Sequence, residues 1–153
     1  MKLNATGLVS LDKRLQGVTS RAKTLRPAME AGANDIKTLI DNAFYMSIDP
    51  ETGRRWADIA QSTKDARPQG DGKGNHKPLI NTGRLRQSIS TSADNRSIKF
   101  GTNVQYGRYH QYGTKRAPQR RFIPENFNTG PAQKVAQKIV RRILNYIVNG
   151  KAT

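Results

Sequence analysis

The sequence predicts an α+β fold in a single domain, residues 1–153. Three observations carry the prediction. Apolar side chains recur with helical period at both ends of the chain, a short alternating segment flanks a turn signal in the middle, and a glycine- and proline-rich tract separates the two regions. With 153 residues and 35% hydrophobic content, the chain has material for one modest core and leaves much of its length to polar loops or arms.

The first region spans 1–48. Leu8, Leu11, Leu15, Val18, Ala22 and Leu25 recur at steps of three and four, the apolar stripe of an amphipathic helix. Lys13, Arg14, Arg21 and Lys23 fall off that stripe. Pro27 stands where a second helix can begin, because proline suits the first helical turn. Met29, Ala33, Ile36, Ile40, Ala43 and Phe44 continue the period, and Asp49-Pro50 marks its end. The region reads either as a helical hairpin or as one long bent helix.

Residues 49–78 change character. Seven glycines and prolines break any periodicity, and 70–77 (GDGKGNHK) reads as a mobile loop within a long arm. Trp56 is the only tryptophan. Alone in a polar tract, it is expected to tie the arm to the core, because one indole buries a large area.

Residues 79–128 form the β-rich part. The segment RQSISTS, the turn signal Ala93-Asp94-Asn95-Arg96 and the segment SIKFGT together predict a β-hairpin with one apolar face. A short aromatic helical turn over 104–112 follows, ended by Gly113. Residues 117–124 read as extended between Pro118 and Pro124.

Residues 129–150 hold the clearest element. Val135, Ile139, Ile143 and Ile147 step by four, and Ala136, Val140 and Leu144 widen the stripe. Lys134, Lys138, Arg141 and Asn145 line the other face, and Asn149-Gly150 ends the helix.

Composition narrows function. There are no cysteines, so disulfides and thiolate metal sites are excluded, in keeping with assembly in a reducing cytoplasm. No apolar run approaches the ~20 residues needed to span a bilayer. The N-terminus lacks the apolar stretch of a secretory signal. The net charge is +16, and residues 79–153 carry +12 of it. A field this one-sided favours polyanions: nucleic acid, anionic lipid or an acidic protein face.

No catalytic set emerges. His110 has no nucleophile or acid partner near it in sequence, and the other histidine, His76, lies in the glycine-rich loop. The preferred reading of His110 is an imidazole bonded to backbone. A phosphate-cradling loop fails at 67–74, where Arg67 holds the first glycine position and Gly74 follows Lys73. The same loop lacks the alternating acids of a calcium site. No cofactor or metal is expected. Tyr106, Tyr109 and Tyr112 fall on one helical face, read as core or subunit packing ahead of base stacking. Around Pro118, Lys115, Arg116, Arg120 and Arg121 form a basic segment that meets either phosphates or an acidic neighbour, or is a solvated edge. The C-terminal helix is read as a core-packing helix with a solvated basic face, ahead of a membrane-surface or groove-binding role.

The order of short motifs over 79–124 is the most specific signal. The chain shows Trp56, then Leu79-x-x-Thr82-Gly83-x-Leu85, then Gly101-Thr102, Tyr106, His110-Gln111-x-Gly113 and Pro118-x-Arg120-x-Phe122. This series resembles the phage virion morphogenesis family, the Mu-type tail-completion and head–tail connector proteins. One departure is Gly107, where the family usually has alanine; a glycine there costs roughly 1 kcal/mol of helix propensity and predicts a looser turn.

The resemblance implies a small antiparallel sheet packed by an N-terminal helix pair and a C-terminal helix. It implies a structural part with no enzymatic activity: a homo-oligomeric ring, commonly hexameric, at the head–tail junction, in contact with neck, connector or tail-tube proteins and with DNA passing through its lumen. Trp56, Leu79, Thr82, Gly83, Leu85, Gly101, Tyr106, His110, Gly113 and Phe122 would then be structural. Lys115, Arg116, Arg120, Arg121, Lys134, Lys138 and Arg141 are the candidates for subunit or DNA contact. The rival reading is a free protein that binds nucleic acid without regard to sequence.

Overall fold

The computed structural model describes residues 5–67 and 76–152. Helix α1 (Ala5–Lys23) leads into α2 (Arg26–Met46), with Pro27 in the first turn of α2 as its fixed φ favours. The N-terminal region is therefore two helices broken at Thr24-Leu25. Helix α2 ends at Met46, three residues before Asp49, because Ser47 takes a left-handed conformation (φ 56°) and its N–H returns to the Ala43 carbonyl.

The tract that follows is more ordered than an arm. Ile48 bridges Arg55, the Asp49 carboxylate accepts the Glu51 N–H at 2.7 Å, and the Gly53 N–H donates to the Asp49 carbonyl at 2.8 Å. This is a side-chain-stabilised turn of the kind aspartate favours. A short helix, α3 (Gln61–Asp65), stands where the sequence predicts only loop. Of the expected loop 70–77, residues 70–75 lie outside the described residues.

Helix α4 (Arg84–Gln87) precedes the hairpin, whose strands are β1 (Ile89–Ala93) and β2 (Ile98–Thr102). They pair antiparallel, Ile89 opposite Thr102 and Ala93 opposite Ile98. The Asp94 carboxylate closes the turn by accepting the Arg96 and Ser97 N–H groups at 2.7 and 2.8 Å. The hairpin is where the turn signal predicts it. The part expected to be β-rich nevertheless holds only these two strands among its described residues, with α4, α5 (Gly107–Tyr112) and irregular chain making up the rest.

Helix α6 (Gly130–Asn149) closes the domain, ended by left-handed Gly150. Helix α2 is the central element: one side packs on α6, the other on both strands, while the main packing of α1 is on α6. The core gathers where these meet. Ile36, Ile40, Ala43 and Phe44 from α2 join Trp56, Leu85, Ile89 and Phe122. The Phe44 ring meets Trp56 edge-on at 5.8 Å and Phe122 at 5.4 Å. Gly130 is required at the start of α6. Its φ is +57°, and a Cβ there would lie 1.9 Å from the Glu51 carbonyl oxygen.

Two expected apolar stripes are left partly uncovered. Leu8, Leu11 and Leu15 on α1 are exposed, as are Val140, Leu144 and Val148 on α6. Helix α6 turns one side to α2, and Val140 and Leu144 of its widened stripe stay exposed among the described residues. Among the described residues no helix is long and apolar enough to cross a membrane.

Candidate functional site

The short motifs, spread over 67 residues of sequence from Trp56 to Phe122, converge in space. Phe122 is fully buried against Phe44. Trp56 is buried, and its indole N–H donates to the Arg121 carbonyl at 2.8 Å, so the expected anchoring of the arm holds. Leu85 is buried in the same core, with Leu79 packed against it. Leu79 itself has a left-handed backbone (φ 61°). The Thr82 hydroxyl accepts the Arg84 N–H at 3.4 Å, and Gly83 opens α4. Gly101 lies in β2 opposite Ser90, and Gly113 ends α5.

Gly107 does not loosen its turn. It is buried, and a Cβ would stand 3.2 Å from both the Leu85 and Thr102 side chains, so the close approach of α5 to the core uses the missing methyl.

Gln111 does what a neighbouring strand would do. It is 5% exposed. Its amide oxygen accepts the Phe122 and Ile123 N–H groups, both at 3.1 Å, and its nitrogen donates to the Ile123 carbonyl at 2.7 Å. The chain over 117–124 has no strand beside it, and this one amide satisfies three of its backbone groups.

Arg120 is the largest departure from expectation. It is only 7% exposed, which removes it from the set of surface cations. Its Nε and one terminal nitrogen donate to the Ala57 and Asp58 carbonyls, both at 2.8 Å. Burial lowers its pKa. Arg121 is also engaged internally, with Glu51 and, at 3.8 Å, with Asp49. The guanidinium's planar fork suits such multiple acceptors.

Glu51 is a structural residue that sequence reasoning missed. It is buried, and besides Arg121 it accepts the Glu125 and Asn126 N–H groups at 2.5 and 2.8 Å. Its backbone meets the start of α6, where the adjacent Pro50 carbonyl accepts the Ala132 N–H at 2.9 Å. An acid in a glycine-rich tract carries no pattern that separates it from a solvated one.

His110 lacks the backbone bond expected of it. Its Nδ1 is buried with no hydrogen-bond partner among the described residues. Burial first, and the charge of Arg120 second, lower its pKa. Tyr106, Tyr109 and Tyr112 are exposed, so the core half of their expected role does not apply within this chain. Tyr106 meets His110 edge-on at 6.1 Å, Tyr109 lies under the Arg108 guanidinium, and Tyr112 bonds Glu125.

The remaining candidate cations lie outward. Lys115 and Arg116 sit at the tip of a tight turn closed by Thr114 and Ala117, which exchange backbone bonds at 2.8 and 3.3 Å. Lys134, Lys138 and Arg141 are exposed on α6. Lys138 leans to Asp35 of α2 at 2.8 Å, and Arg142 binds the same carboxylate. Lys134 and Arg141 make no ion pair among the described residues. There, too, no three acidic or histidine side chains gather closely enough to hold a metal ion.

Trp56, Leu85 and Phe122 of these motifs join one core cluster, with Leu79 packed against it. Neither the curated proteins nor the solved structures compared with the chain gave a match. The family model described as the phage virion morphogenesis family matches residues 8–147, from the first turns of α1 to near the end of α6. With nearly the whole chain matched, this chain belongs to the phage virion morphogenesis family.

Proposed function

We propose that the chain is a structural ring subunit of the head–tail junction of a tailed phage, either a tail-completion (terminator) or a neck-connector protein, and that it has no catalytic activity. Several copies enclose a lumen through which DNA passes. Membership in a family of virion morphogenesis proteins supports the general role. The single observation that supports the finer one is how the charge is arranged. Arg120 and Arg121 are engaged within the fold, whereas Lys115, Arg116, Lys134 and Arg141 stand exposed without acidic partners among the described residues. A closed ring multiplies the +16 of one subunit. Such an assembly is stable when its exposed cations face DNA, acidic neighbours or counterions.

The test is a phage carrying Lys115→Ser and Arg116→Ser together. These sit on an exposed turn, so the fold is expected to survive while tail joining and infectivity fall. Normal virions in normal yield would overturn the role given to these cations. Locating the chain in the assembled particle by electron microscopy separates terminator from neck component. The exposed cations also fit a free nucleic-acid-binding protein. That reading requires tight DNA binding by a monomer that weakens steeply with salt, whereas the ring reading expects weak binding by the isolated subunit.

A further inference from the structure

Leu8 to Gln16 of α1 are exposed without exception, although Leu8, Leu11 and Leu15 form an apolar row. The contact of α1 with α6 lies further along the chain, at the last turn of α6. There Arg21 holds the Ile147 and Val148 carbonyls, and Gly17 and Val18 line a groove with Val148 and Asn149. At about 100° per residue, Gly17 and Arg21 sit more than a right angle round α1 from the centre of the leucine row. That row therefore faces away from the α6 of its own chain. Isolated helices shorter than ~12–15 residues are marginal in water, so an uncovered stretch of this length gains from packing on something.

Helix α6 carries a second uncovered row. Val140 and Leu144 are exposed, and Phe127, Ala136 and Val140 line an open groove of about 460 Å³ with Gln133, Gln137 and Arg141. The two rows match in length: Leu8 to Leu15 rises about 10 Å and Ala136 to Leu144 about 12 Å. Their charged neighbours match as well. Asp12 is exposed beside Leu11 and Leu15, and accepts from the Gln16 amide of its own helix at 2.6 Å. Arg141 is exposed beside Val140 and Leu144, and makes no ion pair among the described residues. The cations Lys13 and Arg14 fall off the leucine row, so they do not oppose a cationic helix laid against it.

We propose that the leucine row of α1 packs antiparallel on the Ala136–Val140–Leu144 row of α6 in a second copy of this chain, with Leu11 against Val140 and Leu15 at the groove beside Ala136. Charge complementarity selects the second copy. Leu11-Asp12-Leu15 and Val140-Arg141-Leu144 repeat one i, i+1, i+4 pattern with opposite charges at the middle position. That residue stands about 80° to the same side of each row, and helices that meet antiparallel bring like sides together. Asp12 then faces Arg141 across the seam, as charged residues do at the edges of paired helices. Arm and groove are different surfaces of one chain, so the contact is head-to-tail and repeats from copy to copy, closing where the rotation allows a ring. This contact would build the proposed ring, and rests on that reading only in that copies of the chain meet.

The chain has no cysteine, so thiols placed at chosen exposed sites report contacts without interference. Full-length Leu11→Cys and Val140→Cys chains, differing in length by a short tag, are mixed and oxidised, and the dimers are separated on a non-reducing gel. Sodium chloride at about 0.3 M screens the repulsion between two cationic chains. The mixed disulfide should form about tenfold or more faster than between Leu11→Cys and Tyr45→Cys, an exposed site on α2. A rate no greater than with Tyr45→Cys overturns the contact. Faster linking of Leu11→Cys to itself overturns the assignment to α6, because α1 would then meet α1. Asp12→Arg in the first chain, or Arg141→Asp in the second, should slow the mixed linking about threefold or more, and the two together should restore it. Arg141→Asp lowers net charge and would speed linking if general repulsion governed, so slowing is specific to the seam. Failure of the exchanged pair to restore the rate overturns the antiparallel placement. These rates are read on the isolated chain: their failure leaves the junction role standing, whereas a chain found elsewhere in the particle would leave the contact standing.

Discussion

Three side chains show how polar groups hold this small core together. Glu51, Gln111 and Arg120 are each buried, and each satisfies two or more backbone groups of chain that has no regular structure. Removing one leaves its partners buried and unpaired, which costs more than the bond itself is worth. Glu51→Ala is expected to lower stability by about 3 kcal/mol or more, because it also takes from Arg121 the nearer of its two carboxylates; urea unfolding measures it. Arg120→Lys should cost about 1–3 kcal/mol despite keeping the charge, since an ammonium lacks the fork that spans two carbonyls. Phe122→Ala should cost about 3–5 kcal/mol as an ordinary core truncation. His110 adds a pH dependence. Its folded-state pKa lies below that of the unfolded chain. The unfolded state therefore binds the extra proton first, and stability present above the unfolded histidine pKa is lost as pH falls through that range toward the folded value. His110→Gln should flatten this part of the stability–pH curve.

Among the elements, α2 and α6 carry the fold and α1 does not. Helix α2 packs on α6 and both strands, whereas α1 leans mainly on α6. Arg21 makes much of that contact, its guanidinium donating to the Ile147 and Val148 carbonyls at 2.8 and 3.0 Å, where it complements the negative end of α6. Substituting Leu8, Leu11 and Leu15 with serine should therefore change the stability of the isolated chain by no more than about 0.5 kcal/mol per site. An equivalent triple change at Ile36, Ile40 and Phe44 should abolish folding. Circular dichroism melts separate the two outcomes. The start of α6 is less tolerant. Gly130→Ala would drive a methyl into the Glu51 carbonyl from a left-handed backbone, and a loss of about 2 kcal/mol or more is expected.

For the whole molecule, charge is the governing quantity. A net +16 on 153 residues opposes compaction, and only the internal ion pairs offset part of it. Salt screens exposed charges over roughly 10 Å at 0.1 M ionic strength. The urea midpoint of the isolated chain should therefore rise as sodium chloride is raised from about 0.01 to about 0.3 M. A falling midpoint would mean that attractive surface pairs outweigh the repulsion. Among the exposed cations, those of the turn at Lys115-Arg116 and Lys134 and Arg141 on α6 lie apart in sequence, and neither group is paired with an acid among the described residues.

By itself the sequence determined the helical character of both ends, the short helical turn before Gly113, the hairpin and its turn, the end of α6 and the family, because these rest on local periodicity, turn chemistry and the order of motifs. Gly113 and Gly150 stop their helices where local reasoning predicts. Only the tertiary structure decided which charges and stripes are covered, because burial depends on which segments meet and not on residue type. Arg120 and Lys115 read alike in one basic segment, yet one is enclosed by the Ala57 and Asp58 carbonyls and the other is solvated. Leu15 and Ile40 both follow helical spacing, but only the second has a strand and a helix packed over it. Glu51 and Gln111 were legible only in three dimensions, since their partners lie far away in sequence or in chain with no pattern of its own.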